Sequence, residues 1–325
     1  PLAKDSLITE APTYRLGYYA QDLLSLSEKV KVMAGLRWSY QKALVSDVYN
    51  VITGTQTKST TVAKADQAFS PKLGLVYQPF KATAVFASYS NNFTMNSGID
   101  IFDQVLSPSI VDQFEMGVKN DLLDGKLSAN FTVYKIINNN LAQQAQFLKD
   151  GVTVNMNTNI KELTGQTTSE GAEIDFAGNI LPGLNFLGGY SYNFMRYTKT
   201  SGLKGSYIEG ERLVNNPAQT ANASMFYTFA SNRLNGLKLG ASAYYIGKRN
   251  AGWNNTVGQT QKVSRLIPMG GFTTYDLSLG YSLNKLSVLA KLSNITNELN
   301  YYVHENYSVN PIAPRQFLTT ISYKF

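Results

Sequence analysis

The last ten residues of the chain, from Gln316 to Phe325, alternate strictly between two rows of side chains. One row is mainly apolar or aromatic (Phe317, Thr319, Ile321, Tyr323, Phe325) and the other is mainly polar (Leu318, Thr320, Ser322, Lys324). A period of two is typical of a β-strand and not of a helix. The length matches the ~9–11 residues of a strand that crosses a membrane. An edge strand of a soluble sandwich has the same pattern, so the rest of the chain must decide.

The composition favours the membrane over the soluble sandwich. Charged residues make up 16% of the chain, below the ~25% of ordinary soluble domains. The mean hydropathy is nevertheless −0.18, and no apolar run approaches the ~18 residues of a spanning helix. Tyrosine, with 21 residues, suits both sheets and membrane interfaces. Low charge without long apolar runs is typical of strands that alternate between lipid and water.

Several function classes find no support in the sequence. The net charge is +7, but lysine and arginine are scattered singly, so we expect no nucleic-acid partner. The absence of cysteine excludes a disulfide framework, a thiolate metal site and a cysteine nucleophile. His304 is the single histidine, whereas zinc takes three or four ligands and a catalytic triad needs a held base. We therefore expect no enzyme, no metal site and no cofactor.

Amphipathic strands recur along the whole chain. In residues 30–39, one row (Val30, Val32, Ala34, Leu36, Trp38) alternates with a second (Lys31, Met33, Gly35, Arg37, Ser39). The same reading predicts thirteen strands, near residues 14–24, 30–41, 69–78, 82–92, 111–121, 126–138, 168–178, 184–196, 217–229, 236–247, 272–283, 285–294 and 316–325.

The connections between these strands alternate between short and long. Short ones are predicted near residues 25–29, 79–81, 122–125, 181–183, 231–235 and 283–285, and long ones near 42–68, 93–110, 139–167, 197–216, 248–271 and 295–315. Outer-membrane barrels have short periplasmic turns and long extracellular loops. We therefore predict an all-β fold, an antiparallel transmembrane β-barrel in a bacterial outer membrane.

The odd number of strands constrains this prediction further. Single-chain bacterial barrels have even numbers of strands. We therefore expect residues 1–325 to be the C-terminal part of a larger barrel. Such a sheet has two open edges at membrane depth, which lipid cannot satisfy, so we expect that it does not close by itself.

Short motifs in order along the chain resemble one family. They are YAQD (19–22), GLRW (35–38), SPKLGLVY (70–77), EMGVK (115–119), EGAE (170–173), NITN (294–297), APR (313–315) and the terminal Phe325. Together they make the chain similar to the C-terminal barrel portion of TonB-dependent outer-membrane receptors. The likeness is greatest to ferric-siderophore receptors of the hydroxamate, ferrichrome-like group. Each motif is weak alone, but the series covers essentially the whole chain.

The resemblance carries implications for architecture and partners. Such receptors hold an N-terminal plug domain inside a barrel of 22 strands. It implies that this chain is the last part of that barrel, with the plug domain and first strands absent from residues 1–325. The implied partners are the TonB complex, the plug domain, outer-membrane lipid and the barrel assembly machinery. Tyr323 and Phe325 would form the C-terminal signal for that machinery.

Charged residues within strands are expected on the inner face. A charge on the lipid face costs ~2–4 kcal/mol at the membrane midplane, so inward placement is favoured. These residues could contact the plug domain through ion pairs, or they could merely line water. They are Arg37, Glu115, Lys119, Glu173, Asp175 and Lys291.

Aromatic and basic residues in the long connections are candidates for ligand binding, because aromatic rings recur in ligand pockets. The candidates are Phe93, Phe147, Tyr207, Arg249, Trp253, Tyr302, His304 and Tyr307. The alternative is an aromatic belt at the outer membrane interface. For Tyr197 and Tyr245, which lie near strand ends, we expect the belt.

The resemblance therefore implies a receptor that binds a ferric siderophore and imports it with energy from the TonB complex. Iron would arrive already chelated, as cargo. Two alternatives stay open. One is a receptor of the same architecture for another nutrient, such as cobalamin or a glycan. The other is a structural outer-membrane subunit that does not transport.

Overall fold

The computed structural model describes residues 7–10, 12–44, 47–58, 64–145, 147–230, 234–252, 255–259, 265–304 and 308–325. Thirteen strands form one sheet. They are β2 (Thr13–Ser25), β3 (Val30–Ala43), β6 (Lys64–Phe80), β7 (Thr83–Thr94), β8 (Ser109–Leu122), β9 (Leu127–Gln144), β10 (Lys161–Leu181), β11 (Leu184–Lys199), β12 (Gln219–Thr228), β13 (Leu237–Ile246), β16 (Phe272–Leu283), β17 (Leu286–Ser293) and β20 (Gln316–Tyr323).

Seven shorter strands lie in the long connections or at the start of the described chain. They are β1 (Leu7–Glu10), β4 (Asp47–Asn50), β5 (Thr55–Lys58), β14 (Arg249–Gly252), β15 (Leu266–Met269), β18 (Tyr301–His304) and β19 (Ser308–Pro311). They form three small sheets, ordered β1-β4-β5, β14-β15 and β18-β19. Among the described residues, none forms a helix long and apolar enough to cross a membrane.

The large sheet is an antiparallel meander. Its order is β2-β3-β6-β7-β8-β9-β10-β11-β12-β13-β16-β17-β20, so each strand pairs with the next long strand of the sequence. All thirteen predicted strands are confirmed. The short strands were not predicted, because four residues are too few to show a period.

Strands β9 and β10 are longer than their sequence pattern indicates. They extend to Gln144 and begin at Lys161, whereas alternation predicted an end near 138 and a start near 168. Pairing continues there between polar residues, for example Gln143 opposite Glu162 and Gln144 opposite Lys161. Because both faces are polar beyond the membrane, the alternation fades while the hydrogen-bonded ladder persists.

The alternation of connections is confirmed. The short ones span residues 26–29, 81–82, 123–126, 182–183, 229–236 and 284–285, and the long ones span 44–63, 95–108, 145–160, 200–218, 247–271 and 294–315. Left-handed residues tighten the short turns, such as Asp124 (φ 55°), Gly125 (φ 80°) and Asn284 (φ 51°). All short connections therefore lie at one end of the sheet and all long ones at the other.

One face of the large sheet is mainly apolar across its whole width. Residues opposite each other across a ladder share a face, and the register places Trp38 opposite Phe69, and Leu279 opposite Ala290. Met116 and Leu277 lie on this face in interior strands and are still 57% and 47% exposed. An apolar surface of this extent is what a barrel presents to lipid. The opposite face, which carries the small and polar rows, is the inner face.

Three glycines on the inner face are each covered by an aromatic ring from the opposite residue of the neighbouring strand. Phe86 lies opposite Gly117, Tyr134 opposite Gly171, and Phe226 opposite Gly240. A Cβ atom built on Gly171 would lie 2.5 Å from the Tyr134 ring. A ring that covers a strand glycine restores the contact area that the missing side chain gives up.

The large sheet is open in this chain. Strands β2 and β20 are its two edges, each paired on one side only. All residues of β2 and β20 are exposed, in contrast to the partly covered interior strands. Each edge therefore presents unpaired backbone groups, which are costly in lipid.

Substitution of Gly171 by alanine is expected to destabilise the barrel, because the new methyl group would collide with Tyr134 and with the Tyr192 carbonyl. Overpacking of this kind costs about 1–3 kcal/mol. The measurement is urea unfolding of the full-length protein in lipid vesicles. Gly35→Ala is the matched control, since its Cβ would meet no atom nearer than 3.5 Å. Equal effects of the two variants would show that the ring does not restrict Gly171.

A polypeptide limited to residues 1–325 is expected not to fold stably in lipid, because both edge strands would expose unpaired N–H and C=O groups. The measurement is the mobility shift between heated and unheated samples in SDS gels after refolding into vesicles. The full-length protein, refolded in parallel, is the control. A heat-sensitive, protease-resistant form of the fragment alone would contradict the expectation.

Candidate functional site

The six charged residues predicted on the inner face all lie on it. The register connects them through opposed pairs: Arg37 with Ser70, Glu115 with Ser88, and Glu173 with Thr132 and Ser191. Asp175 lies two positions after Glu173 and therefore on the same face. Lys119 lies four positions after Glu115, again on the same face. Lys291 lies opposite Ser278. The inner face therefore has a polar lining of both signs.

Most of these inner charges have partners within the barrel wall. Lys291 forms an ion pair with Asp276 at 2.9 Å, and Asp276 also accepts a hydrogen bond from the Asn294 amide. Arg37 donates to Ser39 at 2.9 Å, and Lys119 lies 5.2 Å from the centre of the Phe86 ring.

Two polar cavities open on the inner face. One of about 210 Å³ is lined by Glu173 and Asp175 together with Gly189, Tyr190, Ser191, Thr220 and Asn222. Glu173 accepts a hydrogen bond from the Ser191 hydroxyl at 3.0 Å. The other, of about 500 Å³, lies toward the long-loop end and is lined by Arg15, Arg37, Gln41 and Phe93 among others. The inner wall thus offers an acidic recess and a separate basic one.

The long connections between β7 and β20 are joined in series into one layer, which we call the loop layer (95–108, 145–160, 200–218, 247–271 and 294–315). The amide of Ile99 donates to the Asn159 carbonyl, and Gln143 donates to the Gly205 carbonyl. Gly205 in turn donates to the Val257 carbonyl. The Ile99 and Gly205 contacts each connect one loop to another, and Gln143 connects the 200–218 loop to the end of β9 beside the 145–160 loop. The loops are therefore linked in series at this end of the sheet.

Arg249 connects the last two loops of this layer. Its side chain is 7% exposed, and its Nη2 donates to the Tyr301 carbonyl at 2.6 Å. The guanidinium also lies 5.6 Å from the ring centres of Phe272 and Tyr302. The structure therefore brings together two of the predicted ligand residues, Arg249 and Tyr302. Arg249 therefore links the two loops from a buried position, whereas Tyr302 is 42% exposed.

Tyr207 stacks on Tyr197, with ring centres 4.2 Å apart and nearly parallel planes. Tyr197 is 6% exposed. The expectation that Tyr197 belongs to an interfacial belt is therefore wrong, because the 200–218 loop folds back over the end of β11 and buries it. The stack fixes Tyr207, whose backbone also bridges to Thr256 in the next loop.

The remaining loop candidates are spread across the layer. Phe93 lies within β7 and not in a loop, because the strand extends to Thr94. Phe147 lies at the base of a small hairpin, opposite Val154. At the tip of that hairpin, hydrogen bonds from the Thr153 hydroxyl and from the amides of Val152 and Thr153 hold the pKa of Asp150 below its usual value.

Three candidates have no described side chain. His304 is the last residue of β18, where it pairs with Ser308, and only its backbone is described. Trp253 and Tyr307 lie outside the described residues. The ligand-binding role of all eight candidates stays a prediction.

The sequence motif at 294–297 has a structural role that sequence reasoning did not identify. Asn294 and Asn297 both have left-handed backbones, with φ of 48° and 52°. The Asn294 side chain donates to the carbonyls of Glu298 and Ala313, and Asn297 accepts from the Arg315 amide. The motif therefore joins the two ends of the last long loop. Asparagine at a position after a strand was the available signal, because this residue tolerates left-handed conformations.

No group of three or more histidine and acidic side chains converges into a metal-binding arrangement in the described ranges. What the arrangement can do chemically is to present rings, amides and charges to a solute that enters between the loops.

Comparison with known proteins identifies relatives over most of the chain. A 25% identical relative over 308 residues is the metal-pseudopaline receptor CntO of Pseudomonas aeruginosa, covering 94% of this chain and 40% of the relative. The ferrioxamine B receptor of Salmonella typhimurium is 25% identical over 290 residues, covering 87% and 36%. The chain thus spans about two fifths of the length of these relatives.

The fold is also shared with a solved structure. The ferric-catecholate import receptor Fiu of Escherichia coli K12 superposes with a TM-score of 0.74 at 20% identity, covering 98% of this chain and 45% of that one. Residues 4–295 match the family model described as the TonB-dependent receptor-like β-barrel. The chain therefore belongs to the TonB-dependent receptor family and forms part of its β-barrel domain in the outer membrane of a Gram-negative bacterium.

Proposed function

We propose that this chain is part of an outer-membrane receptor that binds a ferric siderophore outside the cell and imports it with energy from the TonB complex. The observation that carries the proposal is the loop layer, with Tyr207 fixed by stacking and Tyr302 held over Arg249. The receptor would perform no bond chemistry, and the iron would be cargo rather than a cofactor.

We further propose that the ligand belongs to the ferric hydroxamates. A ferric hydroxamate of the ferrichrome type is compact and carries polar oxygens, so aromatic rings and arginines around a vestibule would suit it. The motif series that resembles that group supports this assignment, as does a relative named as a receptor for ferrioxamine B. The basic cavity with Arg15 and Arg37 would lie on the inward path of such a chelate.

The inner face is proposed to receive a plug domain. Glu173 and Asp175 line a small recess that a basic side chain of a plug would fill. Lys291 already pairs with Asp276, and Lys119 contacts Phe86. We assign Glu173 and Asp175 as the plug contacts. Lys291 and Lys119 would instead stabilise the barrel wall through their own contacts.

The C-terminal strand is proposed as the signal for the barrel assembly machinery. The rings of Tyr323 and Phe325 meet edge to face at 5.3 Å, and Phe325 is fully exposed. An exposed aromatic pair at the end of an edge strand is accessible to a partner that pairs with that edge.

Two other functions remain candidates. A receptor for cobalamin or a glycan would use the same loop layer with other contacts. A structural subunit would keep the barrel without transport. The family relatives named for metal chelates favour the siderophore receptor.

Deletion of the gene for the full-length protein is expected to abolish iron uptake from one ferric siderophore. Iron uptake from the other siderophores is expected to continue. The measurement is uptake of radioactive iron from a panel of ferric hydroxamates and catecholates, with labelled cobalamin and glycans alongside. Expression should also fall when iron is plentiful. Loss of cobalamin or glycan uptake in place of iron uptake would contradict the proposal, and so would unchanged uptake of every probe.

Tyr207→Ala in the full-length receptor is expected to weaken siderophore binding about threefold to tenfold, because an aromatic contact contributes ~0.5–1.5 kcal/mol. The measurement is quenching of intrinsic fluorescence by the ferric chelate. Tyr275→Ala, which removes a half-exposed ring from the apolar outward face, is the matched control. Equal affinity of the Tyr207 variant and the unaltered receptor would remove Tyr207 from the binding site.

A further inference from the structure

The short-turn end of the large sheet is rich in lysine. The short connections, the three strand residues on each side of them and the end of β20 together hold seven lysines and three carboxylates. The excess of four positive side chains at this end is more than half of the net charge of +7. Arg233 belongs to one of these connections but lies outside the described residues. The seven lysines, called the basic rim below, are Lys29, Lys31, Lys81, Lys126, Lys238, Lys285 and Lys324.

The side chains of the basic rim have no anionic partner in the barrel wall. All are exposed except Lys31, which is partly buried. The ion pairs among the described residues use the cations of Lys135, Arg196 and Lys291, and none uses a lysine of the rim. Unpaired charges of one sign create a surface potential that acts over about one Debye length, ~8 Å at physiological ionic strength. The rim therefore attracts anionic groups from the surrounding water.

The positive charge is concentrated on the second half of the sheet. There the Lys324 amide donates a hydrogen bond to the Lys285 carbonyl at 2.9 Å, so these two residues are neighbours. With ~4.8 Å between strands, the four adjacent strands that hold Lys238, Lys285 and Lys324 span roughly 15 Å. From β10 to β20, the described residues of this end include no acidic side chain. The three carboxylates all lie between β2 and β9, as Glu28, Asp121 and Asp124.

The basic rim borders the opening of the barrel and not the lipid. Lys238 lies two positions before Gly240, so it belongs to a row of the inner face. Beside Lys285, the outward positions are the apolar pair Leu283 and Leu286, which lie opposite each other. The short turns of outer-membrane barrels lie in the periplasm. The lysines of the rim therefore face the water at the periplasmic opening.

We propose that the basic rim is the docking surface for a soluble periplasmic protein with an acidic surface. Carboxylates of this partner contact Lys238, Lys285 and Lys324, where no acidic side chain of the described wall competes. Complementary charge accelerates the encounter and orients the partner. Because the rim faces the opening and not the bilayer, its direction favours a protein over lipid headgroups. Which ligand the extracellular loops bind has no bearing on this contact.

The first test measures binding of a green fluorescent protein with a strongly negative surface to the full-length receptor in phosphatidylcholine nanodiscs, by interferometry. Binding is expected to weaken about tenfold between about 50 and about 500 mM NaCl, because salt screens exposed charges. The variant Lys81→Gln/Lys238→Gln/Lys285→Gln is expected to bind about tenfold more weakly than the unaltered receptor, because it removes three charges from the rim.

The matched control removes three exposed lysines from the long-loop end of the sheet, in the variant Lys42→Gln/Lys199→Gln/Lys248→Gln. It changes the net charge equally and is expected to bind as the unaltered receptor does. Equal weakening in the two triple variants would show that only the total charge matters and would overturn the proposal. Failure of the unaltered receptor to bind the negative protein would overturn it as well.

The second test seeks the partner in the source bacterium by photo-cross-linking. The photoreactive residue p-benzoylphenylalanine replaces Leu26 or Ala82, two exposed residues of short connections, or the exposed Val152 of the loop layer. The first two positions are expected to form an adduct with a soluble periplasmic protein of negative net charge, and Val152 is expected to form none. The yield of this adduct is expected to fall about threefold when the three rim substitutions are also present.

Other cross-linking results would contradict the docking surface. Adducts formed only with lipid, with the polypeptide of the receptor itself or with a protein of positive net charge would overturn the proposal, and so would the absence of adducts. A soluble acidic protein whose adduct yield is unchanged by the rim substitutions would show that the lysines do not recognise it.

Discussion

The constraint on which the structure depends is that lipid offers no hydrogen-bond partners to the backbone. Every N–H and C=O group within the membrane must therefore be paired by a neighbouring strand. The thirteen-stranded meander meets this requirement through continuous antiparallel ladders, from β2 to β20. The side chains are then sorted by face: Met116 and Leu277 face outward, and Glu173 and Lys291 face inward. Only where strands pass beyond the membrane, as in β9 and β10, can both faces become polar.

The large sheet was predictable because its information is local. Alternation, short turns such as Asp124-Gly125, and the regular change between short and long connections are visible in the sequence, and all thirteen strands follow from them. The inner position of Arg37, Glu115 and Lys291 follows from the same alternation. No contact between distant residues was needed for these predictions.

The loop layer was less predictable because its contacts connect segments that are far apart in sequence. Tyr197 lies near a strand end, and only the return of the 200–218 loop buries it against Tyr207. Arg249 resembles an exposed ligand residue until its contact with Tyr301, 52 positions away, is seen. The ion pair between Lys135 and Glu170 was missed for a related reason. In the sequence, Lys135 and Glu170 each interrupt an apolar row of side chains. Only the strand register shows that they lie side by side on the lipid-facing side.

The rings that lie over Gly117, Gly171 and Gly240 affect the shape of the inner surface of the barrel wall. A ring that lies flat across a glycine fills the gap without projecting into the interior. The wall is therefore smoother than its many aromatic residues would suggest. A domain lodged against such a surface meets few protruding side chains and can turn or slide with little steric resistance. Each ring and its glycine also form one unit, so a larger residue in place of the glycine would push the ring inward and roughen that path.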